Sequence, residues 1–267
     1  MTSISLGAPI WSDSLTADLA ADTAFYKALF GWKATDAGED FGHYTTFGVP
    51  DGSEGGRPVM GIMPCPPGME PSRVWSVQFS VADCDAATAK ARELGAQVTI
   101  EPEDMGGMLR FSMLKDPQGA EFGLVQMHEP GAGFGVWGEP NSVGWVEYRL
   151  DGVPADAMKF YADLLGWNVA TPPWEEAANE KPYAAVSAAG SEREFGGCHA
   201  SEGFELSLPA QWSVMLGVED ADEVCEKAVE LGGTVAAEPM DVPGLRIAGI
   251  AAPSGTIAGV MSPRPWE

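Results

Sequence analysis

The segment Trp75-Ser-Val-Gln-Phe-Ser-Val-Ala-Asp-Cys-Asp-Ala constrains this chain more than any other, because the chain contains it twice. The second copy is Trp212-Ser-Val-Met-Leu-Gly-Val-Glu-Asp-Ala-Asp-Glu. Leu94-Gly95 and Glu101-Pro102 return as Leu231-Gly232 and Glu238-Pro239, at the same offset of 137 residues. An offset held over such a distance marks an internal duplication, which fixes the fold before any local reading does. Phe25-Tyr26 with Phe30-Gly31-Trp32 returns as Phe160-Tyr161 with Leu165-Gly166-Trp167, at an offset of 135. Asp116-Pro-Gln-Gly119 returns as Ala252-Pro-Ser-Gly255, at an offset of 136. The small drift places insertions in loops. The chain is two related halves of about 130 residues each, an ordinary domain size.

Within each half a second repeat is legible. Residues 7–14 read as a strand, in which Trp11 and Asp13 share a face because side chains alternate. Asp18 is a plausible N-cap for a helix through Phe30, whose apolar positions recur at three and four, and Gly31 ends it. Strands follow near 32–35, 42–49 and 58–63. Pro64 to Pro71 connects to a second unit of the same order. That unit has a strand over 74–81, a helix capped by Asp83 or Asp85 and running to Leu94, and strands near 96–100, 108–115 and 121–127. The second half repeats the scheme, with strands at 143–150 and 212–218 and helices at 154–165 and 220–231. The expected fold class is α+β, four βαβββ modules forming two tandem domains. The expected boundaries are 1–128 for the first domain, 129–141 for a Gly- and Pro-rich linker, and 142–267 for the second.

Composition excludes several function classes. The net charge is −24, with 39 acidic against 15 basic residues, which argues against nucleic acid or an anionic membrane as partner. No run of about 18 apolar residues could span a bilayer. Residues 1–9 carry neither a basic start nor an apolar run, so no secretory signal is expected there. Four cysteines, Cys65, Cys84, Cys198 and Cys225, form no CxxC and read as isolated reduced thiols in a cytoplasmic protein. The expected partner is a small molecule, with the chain a monomer or a homodimer.

The ordered set Phe-Tyr-x-x-x-Phe-Gly-Trp, Val-x-Asp-x-Asp-Ala, Leu-Gly-Ala and Asp-Pro-x-Gly resembles the vicinal oxygen chelate superfamily. That superfamily includes glyoxalase I, bleomycin resistance proteins and extradiol dioxygenases. The resemblance implies glyoxalase-like domains, each pairing two βαβββ units so that curved sheets enclose a cleft. It also implies His, Glu or Gln ligands on the first and last strand of each unit, holding a divalent metal that polarises substrate oxygens.

Residue by residue, those ligands are missing. The first strands offer Trp11 or Asp13, Trp75 or Ser76, Trp145 or Glu147, and Trp212 or Ser213, while the last strands offer Gly123 and Gly259. Asp13 with Glu121 could rebuild a carboxylate site for a hard cation, but two carboxylates are thin for one. His43, His128 and His199 read as surface or hydrogen-bonded histidines. No metal and no other cofactor is therefore expected, with a divalent metal as the alternative. Tryptophan stands where ligands would, and an indole brings a flat apolar face and one N–H donor. The expected ligand-binding residues are Trp11, Trp75, Trp145 and Trp212, with Met60, Met63, Met108 and Met113 as adaptable walls. Asp13 and Glu147 are the candidate catalytic groups. The expected function is binding of a small aromatic or drug-like metabolite, as an accessory to its tailoring or in resistance. The alternative is a metal-dependent lyase, isomerase or dioxygenase acting on a vicinal-oxygen substrate. The residues are compatible with binding alone or with binding and catalysis.

Overall fold

The computed structural model describes residues 5–129, 131–176 and 178–264. The first repeat comprises β1 (Pro9–Trp11), β2 (Asp13–Thr16), α1 (Leu19–Phe30), β3 (Lys33–Asp36), β4 (Thr45–Val49) and β5 (Arg57–Pro64). The second has β6 (Gln78–Ser80), α2 (Cys84–Glu93), β7 (Gln97–Met105), β8 (Leu109–Lys115) and β9 (Glu121–Met127). The third has β10 (Ser142–Leu150), α3 (Pro154–Leu165), β11 (Asn168–Ala170), β12 (Ala184–Ser187) and β13 (Glu194–Ala200). The fourth has β14 (Gln211–Gly217), α4 (Ala221–Glu230), β15 (Thr234–Val242), β16 (Leu245–Ala251) and β17 (Ile257–Pro263). The α+β class and the four βαβββ modules are as the repeats dictate.

Short-range chemistry sets the helix ends. Asp18 accepts the Ala21 N–H at 3.0 Å, Asp83 accepts that of Ala86 at 2.9 Å, and Asp220 accepts that of Asp222 at 2.8 Å. Each such cap is worth about 1 kcal/mol. The helix α3 has no side-chain cap and starts instead on Pro154, whose missing N–H costs nothing in a first turn. Gly31 and Gly166 end their helices at φ 70° and 76°, where a Cβ would be strained.

By compactness the chain forms two units, one of Met1–Ile10, Val77–Ala132 and Trp145–Trp212, the other of Trp11–Ser76, Gly133–Gly144 and Ser213–Glu267. Each takes one repeat from each half of the sequence, so compactness groups the repeats differently from their order along the chain. In the first unit β1 joins the strands of the second repeat in the order β1-β6-β9-β8-β7, and in the third repeat β13 pairs with β10 on one side and β12 on the other. In the second unit the first repeat forms β2-β5-β4-β3, and in the fourth β17 pairs with β14 and β16.

Each unit has an aromatic core under its helices. In the first unit Tyr161 stacks on Trp167 at 5.0 Å, and Trp212 meets Tyr148 edge-on at 4.9 Å. In the second Tyr26 meets Trp75 edge-on at 5.4 Å, and Phe30 lies 4.7 Å from Trp32. Burying one such ring contributes about 1.5–3 kcal/mol.

A buried carboxylate completes each core, from a different element in each. In the first unit Asp116 accepts the hydroxyls of Tyr148 at 2.7 Å and Tyr161 at 2.9 Å. In the second, Asp22 on α1 accepts the Thr16 hydroxyl at 2.6 Å, the Ser254 N–H at 3.1 Å and the Ser254 hydroxyl. The repeat equivalents are both alanine: Ala252 stands where Asp116 would, and Ala157 where Asp22 would.

The Gly- and Pro-rich segment expected to behave as a linker is docked on the first repeat. Gly135 N–H donates to the Pro58 carbonyl at 2.8 Å, Phe134 lies 5.7 Å from Trp11, and Arg57 pairs with Glu139 through two bonds of 2.7 Å. A Cβ on Gly135 would lie 2.5 Å from Pro58, so only glycine admits this approach. Among the described residues no helix is long and apolar enough to cross a membrane.

Candidate functional site

Strand parity decides which side chains can form a site. On β10, Val146 and Tyr148 point into the core, so Trp145, Glu147 and Arg149 point to the opposite face. In the parallel pair β10–β13, Glu147 lies beside Gly197 and Arg149 beside His199. In the first repeat Asp13 lies beside Gly61 and Leu15 beside Met63, in the parallel pair β2–β5. The two repeats therefore present the same pattern: a half-buried tryptophan, a carboxylate two residues on, and a glycine facing that carboxylate.

Each glycine is a window filled by a tyrosine. A Cβ on Gly197 would lie 2.1 Å from the Tyr183 hydroxyl oxygen, and one on Gly61 would lie 2.0 Å from that of Tyr44. In the third repeat the Tyr183 hydroxyl donates to Glu147 Oε2 at 2.7 Å, and the Trp145 indole N–H donates to the same oxygen at 2.9 Å. His199 Nδ1 lies 2.7 Å from Glu147 Oε1, and its Nε2 lies 3.3 Å from Glu205 Oε2, on the 3-10 turn Gly203–Ser207. In the first repeat the Trp11 N–H donates to the Tyr44 hydroxyl at 2.6 Å, and the Ser76 hydroxyl donates to Asp13 at 2.7 Å.

The electrostatics follow from these contacts. Burial alone would lower the His199 pKa, but hydrogen bonds and charge from Glu147 and Glu205 outweigh it and raise the value above 6.5. Stability from charged His199 is thus fully present below its unfolded value and is lost as pH rises through the raised native one. Burial first, and then the Glu147 charge, push the Tyr183 hydroxyl far above its ordinary range. Burial and the Asp13 charge do the same to Tyr44. Both phenols stay neutral.

The expected site residues divide accordingly. Trp11, Asp13, Trp145, Glu147, Met63 and Met113 are partly exposed, each at its own repeat's sheet. Trp75 and Trp212 are corrected to core: they are 0% and 1% exposed, and their indole N–H groups are satisfied by Tyr26 at 3.1 Å and Tyr161 at 2.8 Å. Met60 is corrected likewise; it is buried on the helix side, one residue from Gly61 and so on the opposite face. Met108 is 52% exposed, beside the turn between β7 and β8. Glu121 is exposed and paired with Lys115 at 3.3 Å, so the carboxylate pair with Asp13 is withdrawn.

His43 and His128 are surface histidines, bonded to Asp36 at 3.0 Å and to the Gly107 carbonyl at 3.0 Å. His199 is the residue that sequence reasoning missed. The available signal was its place two residues after Gly197, on the strand paired with Glu147.

The family resemblance implies a metal, and the donor set does not fit one. At Gly61 and Gly197 the space is taken by tyrosine hydroxyls. At Gly123 it is taken by Gln78 and the Met113 sulfur, and at Gly259 by the Met215 sulfur. The two nitrogens of His199 each face a carboxylate, as an imidazolium does. Among the described residues no group of three or more His, Cys, Asp or Glu is placed to hold a metal ion.

Closing the glycine window tests the local geometry. Gly197→Ala is expected to displace Tyr183 and lower stability by about 1–3 kcal/mol, the usual cost of overpacking. Urea denaturation measures it; a variant as stable as the parent would show that Tyr183 does not fill the window.

Comparison with known proteins finds relatives in sequence and in fold. The model of the Glyoxalase/Bleomycin resistance protein/Dioxygenase superfamily matches residues 13–124, and that of a glyoxalase-like domain matches 150–258. The anthracycline biosynthesis protein DnrV of Streptomyces peucetius is 33% identical over 96% of this chain and 93% of its own length. CFP32 of Mycobacterium tuberculosis, whose name carries a provisional glyoxylase assignment, is 34% identical over 98% and 97%. In fold the chain is similar to the Mn(II)-bound glyoxalase from Novosphingobium aromaticivorans (17% identity, TM-score 0.61, 97% of this chain and 82% of that one). It is also similar to the 2,3-dioxygenase LapB from Pseudomonas sp. KL28 (12% identity, TM-score 0.62, 100% and 97%).

Proposed function

The chain belongs to the glyoxalase/bleomycin resistance/dioxygenase superfamily, and from that premise we propose that it binds a planar aromatic metabolite without a catalytic metal, in the tailoring of that metabolite. One observation carries the reading: the matched tryptophan–carboxylate–tyrosine clusters of the first and third repeats, each closed over a glycine. A half-buried indole offers a face for an aromatic ring to stack on, and the adjoining carboxylate and phenol are polar anchors that fix its orientation. The relatives named for anthracycline biosynthesis support an aromatic metabolite as the ligand class. The carboxylates Asp13 and Glu147 serve first to orient. Any proton transfer falls to the third repeat, where Glu147 holds His199.

The test is a titration with a neutral fused three-ring quinone, followed by tryptophan fluorescence. The parent is expected to bind, and Trp145→Ala to bind about 10-fold more weakly, a change of about 1.4 kcal/mol. Its melting temperature should stay close to the parent's, because Trp145 is partly exposed. The same titration is repeated after chelation and with added Mn(II), Fe(II), Ni(II) and Zn(II), with affinity unchanged throughout. Binding that appears only with one of these ions would overturn the metal-free reading in favour of a metal-dependent lyase, isomerase or dioxygenase.

A further inference from the structure

The charges beside the third-repeat cluster indicate which end of a ligand it takes, an inference that rests on the aromatic-binding reading above. Two positions on this face carry cations where the first repeat is apolar. Arg149 and His199 are direct partners across β10 and β13, and their equivalents Leu15 and Met63 are direct partners across β2 and β5. Arg149 is only 7% exposed. Its hydrogen bond among the described residues is from Nη2 to the Pro209 carbonyl, at 3.3 Å. A guanidinium carries five N–H donors, and a buried one calls for an anion.

Glu205 is the anion that faces this pair, bonded to His199 rather than to Arg149. Its Oε2 is shared between His199 Nε2 and the Glu202 N–H, each at 3.3 Å, and its charge acts on Arg149 as well. Both bonds are long for a charged acceptor, whose good contacts to nitrogen donors run about 2.7–2.9 Å. By contrast, Glu147 holds His199 Nδ1 at 2.7 Å from the less exposed side of the cluster. Glu147 and Tyr183 therefore fix the imidazole, while Nε2 faces a loosely held carboxylate.

We infer that Arg149 and His199 form a subsite for an anionic oxygen on an aromatic ligand, a carboxylate or an ionised phenol or enol, and that Glu205 occupies this subsite until the ligand displaces it. The first repeat, with Leu15 and Met63 in these places, takes an aromatic ring with no such end group. In a chain of net charge −24, long-range electrostatics disfavour anions, so the preference is local to this pair of cations. It is strongest with His199 charged and falls as pH rises through the raised His199 value.

The probes are anthraquinone-2-carboxylate and its neutral isostere anthraquinone-2-carboxamide, each titrated calorimetrically against the full chain. The parent is expected to bind the carboxylate about 10-fold more tightly than the carboxamide. Arg149→Met and His199→Gln should each bring that ratio to about one. Glu205→Gln should tighten the carboxylate alone, a response that a merely structural glutamate would not give. If buried Arg149→Met fails to fold, His199→Gln and Glu205→Gln decide, since both sites are partly exposed. Equal affinities in the parent, or a ratio that survives both the Arg149 and the His199 substitutions, overturn the subsite. So does a Glu205→Gln variant that binds the carboxylate more weakly. Failure of the parent to bind either compound overturns the aromatic-binding reading, and the subsite with it.

Discussion

Replacing Asp116 by alanine is expected to cost about 3–5 kcal/mol of stability, the range for breaking a buried charged network from one side. The carboxylate is nearly inaccessible and four donors converge on it. Oδ2 takes the Tyr148 and Tyr161 hydroxyls, and Oδ1 takes the N–H groups of Gln118 and Ala120 at 2.9 Å each. Alanine would leave two phenols and two turn amides without their acceptor in a space closed to water, and an orphaned donor costs about 1–3 kcal/mol. Asp116→Asn keeps one acceptor oxygen and should fall between parent and alanine. Urea denaturation followed by near-ultraviolet circular dichroism would measure both. A loss under about 1 kcal/mol in Asp116→Ala would mean that water or another group replaces the carboxylate.

Trp212→Ala is expected to lose about 3–5 kcal/mol, and Trp75→Ala a similar amount, the usual cost of emptying a buried aromatic site. The side chains are enclosed and each donates its N–H to a buried tyrosine. Trp212 and Asp116 meet through Tyr161, which accepts from one and donates to the other. The double variant should therefore lose less than the two single losses together, because contacting residues are not additive. Affinity for the neutral quinone, per folded molecule, should be untouched in Trp75→Ala and Trp212→Ala. If instead either variant keeps its stability and loses the quinone, that tryptophan belongs to the binding face and its assignment to the core is wrong.

These expectations reverse what the sequence suggested for the two residues, and the reason lies in strand parity. In the first and third repeats Trp11 and Trp145 share a face with Asp13 and Glu147. In the fourth repeat the indole shares a face of β14 with buried Val214, and just before β6 Trp75 and Val77 are both buried, while the neighbouring serines are partly exposed. A shift of one residue along a strand moves a side chain to the opposite face. Aligning tryptophan with tryptophan hid that shift, because identity is not orientation. Met60, expected as an apolar wall, is buried one residue from Gly61 and so faces the other way.

What depends on offset and periodicity was legible: the four modules, the cap at Asp18, a cap at Asp83 or Asp85 that proved to be Asp83, and the glycine end of α1. What depends on contacts far apart in sequence was not. His199 gains its character from Glu147, 52 residues away, and from a turn that brings Glu205 back to it. Nothing in the composition of 129–141 reveals that Gly135 would be pressed against Pro58.

The exchange of Asp22 and Ala252 in one unit for Ala157 and Asp116 in the other bears on the ancestry of the chain. Each unit joins a repeat from the first half to one from the second, and each holds one carboxylate, on the helix in one case and on the turn in the other. A chain built from two copies of the first half would bring the helix and turn carboxylates into the same core, two like charges where there is room for one. A chain built from two copies of the second half would have neither, and Tyr148 and Tyr161 would lose their acceptor. The two halves of the chain have become complements, and neither can stand in for the other.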